Sequence, residues 1–240
     1  MSTDITLYLN ISRLILGIII LSYASYTDLK TRMASNILWV IMGTIGAILL
    51  AVEYLTGNIT NPIILIFIPI MIFLVYIFFQ MRLLFGGADA KALMALAILV
   101  PIQPIINNLP ILGISYMPAS WTIFSNSLII FLFIPLALLF YNLAKGNPKL
   151  PHAFLGYKMK LTEARNKFVW PLEKLENGKT RLVMRPKGFD TQEELDEFEK
   201  QGIKEIWVTP KIPFMIPLLA GFIFTFIFGD ILYSLMQIFV

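Results

Sequence analysis

The chain has 240 residues, of which 58% are hydrophobic and 14% charged, with a mean hydropathy of +0.77 and a formal net charge of +4. Such a surplus of apolar residues excludes an ordinary soluble domain and points to an integral membrane protein. With no cysteine and one histidine, disulfides, thiolate chemistry and multi-histidine metal centres are excluded as well.

A helix that spans a bilayer needs about 20 mostly apolar residues. Six stretches are candidates: Ile5–Tyr26, Ile37–Leu55, Pro62–Met81, Ala90–Ile102, Trp121–Leu143 and Pro213–Val240. The first carries the acidic Asp4, lacks a basic start and has no small-residue cleavage site after it, so it reads as a span and not as a cleavable signal. Arg13 lies inside it. Asp230, Asp4 and Glu53 are candidate partners for that arginine, and its simplest placement is outward toward lipid headgroups. Asp28 sits at the end of the first span, with Lys30 and Arg32 behind it. Trp39 and Trp121 read as interface anchors. Loop 56–61 contains Asn58-Ile59-Thr60, a glycosylation triplet that is more simply a polar turn beside Gly57 and Pro62.

Arg82 precedes Gly86-Gly87-Ala88-Asp89, and Lys91 follows. The fourth apolar stretch then begins. It is short, at roughly 20 Å of helix against a hydrocarbon core of about 30 Å. Residues 145–212 differ sharply from the rest, holding fourteen of the 19 basic residues and ten of the 15 acidic ones. Within them Thr191-Gln192-Glu193-Glu194 has the form of a capping box opening a helix that stops near Gly202. Arg181–Arg185 and Ile203–Thr209 read as strands. The helix carries Glu193, Glu194, Asp196, Glu197 and Glu199, a solvated acidic face by default. His152 reads as an ordinary residue of this insertion. The basic residues here serve solubility or hold the insertion against anionic lipid. Phe222, Phe224, Phe226 and Phe228 in the last stretch read as lipid-facing.

The expected fold class is therefore an all-α integral membrane protein with six transmembrane helices and a small cytosolic α+β insertion between helices five and six. Its parts are a five-helix membrane region at 1–144, a soluble domain at 145–212 and a sixth transmembrane helix at 213–240. With six spans, every Lys and Arg except Arg13 falls on one side, and loops 56–61 and 103–120 carry none. The positive-inside rule makes the basic side cytoplasmic and puts both termini outside.

Outside the insertion only Asp4, Asp28, Glu53, Asp89 and Asp230 are acidic. Of these, Asp28 and Asp89 alone belong to the cytoplasmic edge of the membrane region. A carboxylate at a membrane edge is costly and often marks function. Two that approach closely hold one proton between them. The ionised member can activate water, while the protonated member hydrogen-bonds the scissile carbonyl and later protonates the leaving amine. That is peptide hydrolysis without metal or covalent intermediate; the composition leaves few other catalytic options, serine chemistry with lysine among them. Gly86, Gly87 and Ala88 leave a backbone on which an extended substrate strand can pair; alone, such glycines would read as helix packing or a hinge.

Gly86-Gly87-Ala88-Asp89 resembles the Gly-x-Gly-Asp signature of membrane-embedded aspartic proteases, which include type IV prepilin peptidases and presenilins. Asp28-Leu29-Lys30-Thr31-Arg32, followed by Asn36, resembles the first aspartate motif of prepilin peptidases, and Lys91 matches their second. Span order and the 145–212 insertion are most similar to the archaeal branch, the preflagellin peptidases. Ala88 stands where the signature has glycine, and the cysteine-containing loop of many bacterial members is missing.

The resemblance implies Asp28 and Asp89 as catalytic residues, Gly86, Gly87 and Ala88 as substrate-binding, and a preflagellin or pilin-like precursor as partner. Its short basic leader would be removed at the cytoplasmic face. Arg32 and Lys91 would anchor topology or tune the pair. Membrane lipid is the other expected partner. No cofactor, metal or nucleic acid is implied, and nothing points to N-methyltransferase activity. The alternative readings are a proton- or ion-coupled carrier using the same aspartates and a non-catalytic assembly subunit.

Overall fold

Apolar runs between turn-forming residues set the order of elements. The computed structural model describes residues 2–59, 61–84, 86–176, 179–183 and 191–238. Helix α1 (Ser2–Thr31) ends where Arg32 takes a left-handed φ of 58°. Helix α2 (Asn36–Leu55) follows Ser35 and stops before Gly57, at φ 72°. Pro62 opens a 3-10 turn, Pro62–Ile66, that leads into α3 (Phe67–Gln80), and Arg82 closes the connection at φ 57°. Helix α4 (Gly87–Leu99) comes next, then α5 (Ala119–Leu132) and α6 (Ile134–Ala144). After the polar insertion, α10 (Met215–Ile227) and α11 (Ile231–Ile238) end the described chain.

Among the described residues, four helical runs are long and apolar enough to cross a membrane: Asp4–Thr31, Asn36–Leu55, Pro62–Gln80 and Ala119–Ala144. The number rises to five if α10 and α11, bent by 58°, form one span. The 13 residues of α4 fall short of a span by length. The chain is thus mostly helical with four or five candidate spans and a small sheet region near its C-terminus.

Two compact units divide the fold: Met1–Phe131 with Pro213–Val240, and Leu132–Ile212. In the first, α4 is central and packs on α1, α2 and α3. Ala92, Leu93, Leu96, Ala97 and Leu99 are wholly buried. Its alanines permit close approach. At Gly46 of α2, an added Cβ would lie 2.7 Å from the Leu99 Cα, so only glycine fits there. Exposed Ile19, Ile48, Ile63 and Phe73 form an apolar exterior suited to lipid.

Several sequence expectations are corrected. Arg13 does not reach outward to headgroups. It is 1% exposed and donates to the Glu53 carboxylate at 2.6 Å and to Asn10 at 3.2 Å. A buried guanidinium needs a partner, and Glu53 supplies the charge from α2. Asp230 does not pair with it. Its carboxylate caps α11 by accepting from the Tyr233 N–H at 3.1 Å, and it also accepts from the Thr122 hydroxyl at 3.2 Å. Trp39 is buried in the core and is no interface anchor. Phe222 and Phe226 are buried as well, so only part of the phenylalanine-rich helix faces outward.

In the second unit, β1 (Tyr157–Lys160), β5 (Glu205–Pro210) and β2 (Val169–Pro171) form an antiparallel sheet in the order β1-β5-β2. A hairpin pairs β3 (Glu173–Glu176) with β4 (Lys179–Leu182). The short helices α7 (His152–Leu155) and α8 (Leu161–Ala164) and the longer α9 (Thr191–Lys200) complete it. The expected helix and the strand near 203–209 correspond to α9 and β5. Of the strand expected over 181–185, β4 holds Arg181 and Leu182, while residues 184 and 185 lie outside the described residues. Asn142 of α6 is buried and donates to the carbonyls of Ala153 and Gly156 at 3.0 and 2.7 Å, fixing α6 to α7. His152 is buried beside Trp207 and 3.5 Å from Glu173. Burial pushes its pKa down, Lys149 adds to that and Glu173 opposes it, so neutral imidazole is the form built into this core.

Removing one member of the Arg13–Glu53 pair strands a buried charge, which costs about 3–5 kcal/mol. Arg13→Met should therefore lower the melting temperature in detergent markedly, while Arg13→Met/Glu53→Met recovers most of the loss. A single variant that melts like the parent would contradict the pairing.

Candidate active site

Asp28 is near the end of α1, and its helical neighbours set its direction. Leu21, Ala24 and Ser25 are buried and precede it by seven, four and three residues. Those spacings share one helix face, so Asp28 lies on the packed side of α1. Ser25 ties this end to the start of α10 by donating to the Met215 carbonyl at 3.1 Å. The Thr31 hydroxyl donates to the Thr27 carbonyl at 2.8 Å, within the last turn.

Asp89 is the third residue of α4, whose N-cap is Gly86. It begins the stripe that continues through Ala92, Leu93 and Leu96, all buried. The first turn is closed by the Ala90 N–H donating to the Gly86 carbonyl at 3.1 Å. Its carboxyl folds back over the cap, into the space that a Cβ on Gly86 would occupy. A negative charge there also meets the positive end of the helix dipole. Gly87 differs, because a Cβ there would only touch the Phe79 ring at 3.7 Å, an ordinary contact. Gly86, Gly87, Ala88 and Asp89 are all half-buried.

The two carboxylates, 61 positions apart in the chain, lie close enough for their charges to interact. Arg32 is within electrostatic range of Asp28. Lys91 donates to the Asn36 side-chain carbonyl at 2.8 Å, joining the second turn of α4 to the first residue of α2. That bond was not legible in the sequence, since nothing in one chain pairs residues 55 positions apart. Among the described residues, no group of three or more His, Asp or Glu is placed to hold a metal ion.

The Arg13–Glu53 pair is elsewhere. Arg13 precedes Asp28 by fifteen residues on one helix, roughly 22 Å along its axis. A cavity of about 220 Å³ opens there, lined by Asn10, Arg13, Glu53, Asn61 and Gln103 among others. It contains neither aspartate of the candidate pair. Asn58 borders it and donates to the Thr56 hydroxyl at 2.7 Å. Thr60 of the glycosylation triplet lies outside the described residues.

Residues 15–143, which include Asp28 and Asp89, match the type IV leader peptidase family. Residues 148–231 match the family described as archaeal Peptidase A24 C-terminus, type II. The chain is also similar to curated proteins named preflagellin peptidase. One from Methanococcus voltae is 29% identical over 235 residues, covering 92% of this chain and 96% of the relative. One from Methanocaldococcus jannaschii is 33% identical over 228 residues, covering 90% and 93%.

The steric difference between the glycines is measurable. Gly86→Ala forces the Asp89 carboxyl aside and places alanine at an N-cap, at a cost of about 1 kcal/mol or more. Gly87→Ala, inside the helix, should be neutral or slightly stabilising. Thermal melts should therefore separate the two variants, and Gly86→Ala/Asp89→Ala should recover part of the loss. Equal melting of both single variants would contradict the close approach.

Proposed function

The chain belongs to the type IV leader peptidase family, and we propose that it is a membrane-embedded aspartic endopeptidase acting on preflagellin or pilin-like precursors. It removes their short basic leader at the cytoplasmic membrane face. The observation that carries this reading is the placement of Asp28 and Asp89: distant in sequence, on the packed faces of α1 and α4, and within each other's electrostatic range. Both fall in the segment that matches the family.

The chemistry follows from one proton shared by two acids. The ionised carboxylate takes a proton from water, and the resulting nucleophile attacks the scissile carbonyl. The protonated carboxyl hydrogen-bonds the carbonyl oxygen and gives its proton to the amine as the C–N bond breaks, while the other carboxyl keeps the proton taken from water. Gly86, Gly87 and Ala88 present backbone to an extended substrate segment. Arg32 and Lys91 supply positive charge near two acids that otherwise repel, and Lys91 also holds α4 to Asn36. No metal or cofactor takes part, and the enzyme is a peptidase without N-methyltransferase activity.

The full arrangement counts α4 as a sixth membrane segment. Both termini are outside, and the 145–212 domain and the aspartates are on the cytoplasmic side, as the distribution of Lys and Arg supports. Precursor and membrane lipid are the partners, and nucleic acid is not. The carrier alternative finds no support in the comparisons.

Asp28→Asn and Asp89→Asn should each lower cleavage of a preflagellin-like precursor by roughly 10²-fold or more, with membrane insertion intact. Near-normal cleavage by either would refute the paired-acid mechanism. Topology can be read separately, because the chain has no cysteine. In intact cells an impermeant maleimide should label Ile114→Cys and leave Lys30→Cys untouched until the membrane is opened. The reverse pattern would refute the orientation.

A further inference from the structure

We propose that the membrane-proximal end of the β1-β5-β2 sheet is a docking surface for anionic lipid headgroups, bordered by Lys167, Phe168, Trp170 and Lys211. This goes beyond the peptidase reading and does not rest on it. It requires only that the apolar helices cross a membrane.

Direction in the sheet comes from α6, which lies in the same Leu132–Ile212 unit. Tyr141, in the last turns of α6, makes an edge-to-face contact with Tyr157, the first residue of β1, at a centroid distance of 5.9 Å. Tyr157 pairs with Val208 near the end of β5, while Lys160 pairs with Glu205 at its start. That contact makes the Pro210 end of β5 the end nearest the membrane-crossing run Ala119–Ala144, to which α6 belongs. Leu139 of α6 also packs with Ala153, Leu172 and Trp207, so the sheet rests on an apolar helix and does not hang from a free linker.

The residues collected at that end have the chemistry of a membrane interface. Val169 of β2 pairs with Pro210, and the Lys211 N–H donates to the Phe168 carbonyl at 3.0 Å. Strand β2 is an edge of the sheet. Phe168 and Trp170 are 49% and 39% exposed, and an exposed aromatic pair is unusual on a face meant only for water. The Lys211 ammonium stands 4.7 Å from the centre of the Trp170 ring. Beside them is a cleft of about 260 Å³ lined by Arg165, Asn166, Lys167 and Lys211 among others. Among the described residues, Asp196 and Glu199 each pair with Arg165 at 2.6 Å, and Glu163 meets Lys167 at a loose 3.4 Å in a half-exposed pair. Aromatic rings at headgroup level with lysines reaching phosphate match the composition of membrane-interface belts, and basic residues near an anionic surface bind it by charge.

The full-length, otherwise cysteine-free chain suits a site-specific test. Asn166→Cys is labelled with a fluorophore in lipid nanodiscs whose lipids carry a headgroup quencher. Lys204→Cys, just before the start of β5 and on the order of 20 Å from Lys211 along the strand, is the control. The Asn166 label should be quenched, more strongly with roughly one-third phosphatidylglycerol than with phosphatidylcholine alone, and the Lys204 label should not. Lys167→Gln and Lys211→Gln should each raise the phosphatidylglycerol content needed for half-maximal extra quenching about fivefold at low salt, and high salt should do the same to the parent. Absence of quenching at Asn166, equal quenching at Lys204, or insensitivity to lipid charge would overturn the proposal. So would release by inorganic phosphate at matched ionic strength, which would mark a site for free anion.

Discussion

The absence of a side chain at Gly86 is the constraint on which the candidate site depends. The Asp89 carboxyl fills the volume a Cβ would take, and so sits directly over the cap of α4. Its position is then tied to backbone and not to a flexible side-chain reach. Two more contacts hold that backbone. Lys91 binds Asn36 at the head of α2, and Leu99 presses against Gly46 further along the same helix. An acid held this way loses little orientation freedom, the condition for a proton to pass efficiently between carboxyl, water and substrate.

The shortness of α4 has the same origin. A helix in contact with lipid must match the hydrocarbon thickness, but one enclosed by protein need not. Helix α4 packs on α1, α2 and α3, and its core positions are buried to the last turn. Thirteen residues suffice because neighbouring helices, and not lipid, satisfy its surroundings. Asp89, near its start, is half-buried. Alanine at 90, 92, 95 and 97 makes this enclosure feasible, since larger residues would push the neighbouring helices away.

Helix α1 divides its polar residues between two tasks at its two ends. Near the N-terminal end the buried Arg13 meets an opposite charge in Glu53 and also donates to Asn10. Near the other end Asp28 faces inward but is only half-buried and has a second acid for a neighbour. An opposite charge removes reactivity by stabilising one protonation state. A like charge does the reverse and keeps two states close in energy. The like-charged neighbour is what makes the second end the candidate for acid–base chemistry.

Much of this was legible in the sequence, and the misses share a cause. Apolar runs, turn residues and the inventory of acids mark out α1, α2, α3 and the pair Asp28 and Asp89, because each rests on local composition or on counting. Orientation within an apolar helix is different. Lipid and protein core are both apolar, so Phe222 and Phe226 look the same as Phe228 until packing separates them, and Trp39 looks like an anchor until its burial is known. Partner choice also lies outside local pattern, as with Arg13 choosing Glu53, 40 positions away, over Asp230. The short strands β1 and β2 escaped for a third reason: four or three residues with Lys or Pro among them carry too little alternation to register. Their pairing with β5 makes them strands, and that same pairing sets Phe168 and Trp170 at the edge of the sheet where the chain turns back toward α10. The least legible part of the sequence is therefore the part whose surface chemistry depends most on the fold.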